Sequence, residues 1–256
     1  MSDESGLSPQ PDSSGRMFLY EQPELLTAEA HAGLGLMPPE RPFEHVKSVT
    51  AIPLTMIEFS SAQKNYPIVF SGMEQPVPLA IVGLGDQVNL FVDHEGKWDP
   101  LCYVPTCVRS YPLAFAKDEG GRTVLVVDRA ADSITTEPEF PFFVDGEPSE
   151  YTNGLLQLCS AYEKERRLTQ AFCAKLVELD LLAFQEASYT EEGSSAEKQV
   201  IANYVCIDAQ KLTEIERDAL YELHREGLLS AMYLHLYSLQ NWRDLMLRGA
   251  TRTADS

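Results

Sequence analysis

His31, His45, His94, His224 and His235 are the side chains best suited to bind a metal or pass a proton at neutral pH. None of them stands in an HxH, HExxH or facial-triad spacing, so a metal centre would have to be assembled by folding alone. Asp93–His94 reads as a solvated turn pair, and His224 and His235 as partly buried imidazoles on helices. The five cysteines, Cys102, Cys107, Cys159, Cys173 and Cys206, are odd in number and lack a CxxC pair, so neither a disulfide framework nor a zinc ribbon is indicated. Cys102 has no base fixed near it by sequence, there is no GxSxG elbow, and a buried cysteine is by default a small apolar filler. Gly83-Leu84-Gly85 is too short for a dinucleotide loop, and no GxxxxGK phosphate loop occurs. The expectation is no metal, no cofactor and no assigned catalytic residue, with an enzyme whose site is assembled by the fold kept as an alternative.

The segment from Trp98 to Phe115 (WDPLCYVPTCVRSYPLAF) gathers a tryptophan, two tyrosines, an arginine and three prolines. Proline fixes φ, so such a loop loses little entropy on ordering and presents its rings and guanidinium rigidly. Trp, Tyr and Arg are also the residues that dominate binding hot spots. Trp98, Tyr103, Arg109 and Tyr111 are therefore candidates to meet a peptide or protein. The competing reading is that Trp98 and Tyr103 plug the sheet while Arg109 satisfies carbonyl groups.

What must position that segment is a β-rich first half. Short β-branched and aromatic runs at Val49–Leu54, Pro67–Phe70, Leu79–Gly83, Val88–Val92, Tyr111–Ala116 and Thr123–Val127 predict a small antiparallel sheet. Turns are expected at Gly85–Asp86, at His94–Gly96 and at Asp118–Gly121. Prolines at 53, 67, 76, 78, 105 and 112 make the sheet irregular. The second half reads as helical. Ser149 caps a long helix with an apolar stripe through Leu179 and a break near Arg166–Thr169. Val200–Ile207 adds a strand, Thr213 and Glu216 form a capping box, Gly227 ends that helix, and a last helix spans about Leu228–Arg248. The fold class is α+β, a small irregular antiparallel sheet packed against C-terminal helices. Residues 1–44 hold six of the 16 prolines and read as a flexible acidic Pro/Ser-rich arm, with a short turn capped by Thr27; 45–256 form one domain, β-rich over 45–145 and helical over 146–248.

With 39 acidic against 20 basic residues the net charge is −19, spread along the whole chain. Nucleic acids and anionic membranes both select clustered Lys and Arg, so neither is an expected partner. The pair Arg166–Arg167 sits among Glu163, Lys164 and Glu165 and reads as a solvated helix face. The first 16 residues lack the basic start and apolar run of an export signal, and Leu228–Leu239 is too short for a membrane helix. A reducing, cytoplasmic setting without membrane insertion is expected.

The ordered runs Glu58-Phe59, Tyr66-Pro67-Ile68-Val69-Phe70, Asn89-Leu90-Phe91, Gly96-Lys97-Trp98, Tyr103-Val104-Pro105, Arg109 and Tyr111-Pro112 resemble the bacterial SapC family. The likeness continues through Gly146-Glu147-Pro148, Tyr162-Glu163, Arg167-Leu168-Thr169, Leu223-His224 and Tyr233-Leu234-His235, spanning about 45–248. It adds Asn89 to the binding set. The family name is associated with a surface layer and with peptide transport, and members look like neighbours of oxygenase and halogenase systems, which implies an accessory role. The leading expectation is a non-catalytic binding or adaptor protein for a peptide or protein partner; the alternative is an envelope-associated structural protein.

Overall fold

The computed structural model describes residues 17–85, 88–117, 123–189 and 199–254. In chain order, β1 (Pro23–Leu25), α1 (Ala28–His31) and β2 (Gly35–Leu36) precede β3 (Ala51–Pro53), α2 (Phe59–Ala62), β4 (Ile68–Phe70) and β5 (Pro78–Ile81). Next come α3 (Thr106–Arg109), β6 (Leu113–Lys117), β7 (Thr123–Asp128), β8 (Ile134–Thr135), β9 (Phe140–Pro141), β10 (Phe143–Val144) and β11 (Glu147–Pro148). The long helix α4 (Glu150–Glu178) leads into β12 (Leu182–Tyr189) and β13 (Gln199–Ile207). Helices α5 (Ala209–Thr213), α6 (Arg217–Arg225), α7 (Leu228–Ser238) and α8 (Trp242–Ala254) complete the chain. The fold is α+β, with antiparallel sheets and C-terminal helices.

The larger sheet runs β12-β13-β4-β5-β3, so its widest ribbon, β12–β13, comes from the half expected to be helical. Its buried residues Ile52, Ile68, Val205 and Ile207 join Phe59, Phe172, Leu176, Leu223 and Met232 in one core. A second, smaller core forms where β6 and β7 pack with β2 and the start of α4, through Leu36, Leu113, Val127, Phe142 and Cys159. Helix α4 spans both. It is continuous where a break was expected; within it Thr169 donates its hydroxyl to the Glu165 carbonyl at 2.7 Å and accepts the Met56 N–H at 2.7 Å.

The expected arm is corrected over residues 17–44. β1 pairs with β7, β2 pairs with β8 and β9, and Thr27 accepts the Ala30 N–H as the cap of α1. Asp128 clamps the approach to β1 by accepting the N–H groups of Glu21 (3.0 Å) and Gln22 (2.8 Å). Prolines at 23, 38, 39 and 42 keep the pairings to two or three residues, which is why no periodicity announces them.

Other local expectations divide in the same way. Ser149 accepts the Thr152 N–H and caps α4, and Gly227 takes φ +75° between α6 and α7. Thr213 instead closes α5, whose cap is Asp208, while the capping box belongs to Thr55 and Glu58. Val88–Val92 is not a strand: the Asn89 N–H donates to the Lys47 carbonyl and the Leu90 N–H to the Val82 carbonyl, and Val92 makes a single bridge to Trp98. Asp86 and residues 118–121 of the expected turns lie outside the described residues.

Candidate functional site: a cavity between two cores

The Trp98–Phe115 segment is organised by a buried carboxylate. Glu58 accepts the Thr55 N–H and hydroxyl through Oε2, both at 2.8 Å, and the Thr106 N–H (2.7 Å) and Tyr103 hydroxyl (2.9 Å) through Oε1. Four donors on two oxygens leave it fully satisfied although it is buried. The capping box thus fixes the start of α3.

The five sequence-chosen residues separate from one another in this frame. Trp98 is buried, stacks near Phe91 and donates Nε1–H to the Tyr66 hydroxyl at 3.2 Å, and that hydroxyl donates in turn to the Tyr103 carbonyl. Asn89 is also buried, donating to the Val46 carbonyl and accepting the Phe91 N–H. Tyr103 is half-buried on Glu58. Tyr111 donates to Asp128 Oδ2 at 2.9 Å, stacks on His45 at 4.1 Å and meets Tyr20 edge-on at 5.5 Å. Arg109 alone of the five is exposed, with Nη2 on the Thr106 hydroxyl (2.9 Å) and Tyr103 hydroxyl (3.3 Å) and its guanidinium 5.6 Å from the Tyr103 ring centre.

The inner side of the same segment faces empty space. A cavity of about 820 Å³ lies between the two cores, bridged by α4. Cys107 and Ser110 of the α3 turn, Ala114, Phe115 and Ala116 of β6, Leu54 beyond β3 and Val126 of β7 form its walls. Cys159, Tyr162, Glu163, Arg166, Thr169, Gln170 and Cys173 line it from α4. Met17–Tyr20 covers it from the N-terminal side. Its size and mostly apolar walls fall within the range of small-molecule sites.

Two features give this space chemical character. Tyr20 is 7% exposed, and its hydroxyl has no hydrogen-bond partner among the described residues. Burial, then the neighbouring Cys159 and Cys107 sulfurs, push its pKa well above the ordinary phenol value, so it stays a donor. Burial likewise raises Cys159 to about 11 and Cys173 to about 12, and it raises Cys107 further, so these thiols remain protonated and poorly nucleophilic at neutral pH. The second feature is an ion pair: Arg166 donates Nε–H to Glu163 Oε2 at 2.7 Å and Nη2–H to Oε1 at 2.9 Å. The Arg166 bonds hold the Glu163 carboxyl below its usual range.

With this geometry in view, comparison with known proteins places the chain. The family model for SapC matches residues 26–245. The chain belongs to the SapC family. Neither a curated protein nor a solved structure matches it. The SapC match begins at Leu26, inside the stretch read from sequence as an arm, in keeping with the pairing of β2. Among the described residues no helix is long and apolar enough to cross a membrane, and no group of three or more His, Cys, Asp or Glu is placed to hold a metal.

The cavity was not read from the sequence. Met17–Tyr20 and Glu163–Arg166 are visible there, but as an apolar run in an arm and as a charged helix face. Only the Thr169 and Tyr162 periodicity on α4 could have hinted that this face points inward.

Proposed function

We propose that this SapC protein is a non-catalytic cytoplasmic binding protein whose ligand, a small and mainly apolar organic molecule, occupies the cavity beneath Met17–Tyr20. The observation that carries this reading is the cavity of about 820 Å³ itself, with mostly apolar walls that include Tyr20, Leu54, Phe115 and Val126. Protonated thiols and a Glu163 carboxylate held in a bidentate pair by Arg166 favour holding over chemistry. The neutral fluorophore N-phenylnaphthylamine is expected to bind saturably to the native chain, and Ala116→Phe, which fills the cavity, to abolish the signal without lowering the melting temperature. Fluorescence unchanged by Ala116→Phe, or no saturable binding, would overturn the reading.

A second reading, a peptide or protein partner met by the loop surface, is favoured by Leu101. This side chain is 90% exposed, yet its turn is rigid: Asp99 accepts the Leu101 N–H at 3.0 Å and is itself paired with Arg248 at 2.8 Å. A fixed, fully exposed leucine beside Tyr103 and Arg109 suits a contact surface. Under this reading Arg109→Ala releases a partner captured by the native chain while folding is unchanged, and retention of the partner would count against it.

A further inference from the structure

The cavity's lining is asymmetric. Leu54, Val126, Cys159 and Tyr20 are buried, whereas Arg166 is 37% exposed and Gln170 is exposed. The accessible part of the lining carries the charge. Glu163, 16% exposed, is shared between two guanidinium groups, because Arg167 Nε also reaches Oε1 at 3.3 Å. One carboxylate between two arginines leaves a positive charge in excess, in a chain whose net charge is −19. Arg166 spends Nε and Nη2 on Glu163, and its Nη1 makes no hydrogen bond among the described residues. A guanidinium oriented by one carboxylate, with donors to spare at the mouth of an apolar cavity, is the arrangement that recognises a second carboxylate.

We infer that the ligand is an amphipathic carboxylate, its head on Arg166 at the mouth and its apolar body running between Phe115 and α4 toward Tyr20. This rests on the cavity reading above and adds the charge of the ligand to it. Glu163 is the positioning residue: its bidentate hold fixes the plane of the Arg166 guanidinium, so little side-chain entropy is lost when the ligand arrives. The apolar walls supply most of the affinity, and Arg166 supplies the discrimination between an acid and a neutral molecule of the same shape.

Calorimetric titration of the native chain with decanoate and with decanol separates the two ideas. Decanoate is expected to bind about tenfold more tightly than decanol, the smaller end of what a charge-assisted hydrogen bond contributes. Arg166→Gln is expected to abolish that preference by weakening decanoate binding about tenfold. Equal affinities in the native chain, or a preference that survives Arg166→Gln, would overturn the carboxylate inference and leave the cavity reading standing. Binding of neither probe would overturn both. Should Arg166→Gln fail to fold, the decanoate-to-decanol ratio of the native chain in rising salt decides instead: it falls if charge is the origin, and a constant ratio contradicts it.

Discussion

The hydroxyl of Tyr103 donates to Glu58 Oε1 at 2.9 Å, across 45 residues of sequence, and ties the aromatic loop to a carboxylate that also caps the turn before α2. Through this bond a segment that looks in sequence like a display of contact residues is made into a wall. Its outer face carries Arg109, and its inner face carries Cys107, Ser110 and Phe115 to the cavity.

Glu58→Gln tests that role. The amide replaces one acceptor oxygen by a donor facing other donors, so urea denaturation is expected to show a loss of about 2–3 kcal/mol. A change below about 0.5 kcal/mol would mean that the loop is held elsewhere.

Trp98 and Arg109 are expected to respond oppositely. Trp98→Ala empties a buried site and removes the bond to Tyr66, at a cost of about 3–5 kcal/mol. Arg109→Ala, on the exposed face, is expected to cost under about 0.5 kcal/mol. Paired thermal melts of the two variants provide the check.

Acid should destabilise the fold before its carboxylates are titrated. His235 accepts the Ile207 N–H through Nε2, and burial lowers its pKa from 6.5 to about 3; burial also lowers His45 to about 4. Both are held neutral in the folded state, so the unfolded chain takes up protons first as pH falls below 6.5. Stability is then fully present above pH 6.5 and declines toward pH 3–4. By pH 5 His235 and His45 should each account for about 2 kcal/mol. Urea midpoints measured at pH 7 and pH 5 should differ accordingly, and the difference should shrink in His45→Gln.

Gly35→Ala asks whether the start of the chain belongs to the fold. A Cβ there would lie 2.3 Å from the Phe140 carbonyl oxygen and 2.6 Å from the Pro141 Cα, backbone atoms that cannot turn aside. The expected loss is about 1–3 kcal/mol in the urea midpoint, against almost none for a loose arm.

Local signals were legible where one residue decides the backbone. Ser149 and Thr27 cap helices as their side chains allow, and Gly227 takes the left-handed conformation between two helices. Thr-x-x-Glu was ambiguous. The spacing occurs at Thr55–Glu58, where it forms a capping box, and at Thr213–Glu216, where it does not, because Asp208 has already started a short helix. Strand β12 (LAFQEASY) is rich in helix formers and becomes a strand through its pairing with β13, a tertiary effect on weak propensity. Of the candidate residues, Trp98 and Asn89 proved to be interior. The cavity was illegible because its walls come from chain positions as distant as Tyr20, Leu54, Phe115 and Arg166, and an empty space has no composition.

The most direct test of the cavity as the ligand site is an NMR titration of the native chain with decanoate, following the aromatic rings. The account predicts saturable shifts at Tyr20, Phe115 and Tyr162, with intermolecular contacts to the same rings and none at the exposed Phe184 and Tyr221. Shifts confined to the outer surface at Leu101, Tyr103 and Arg109, or no saturable shift at all, would contradict it.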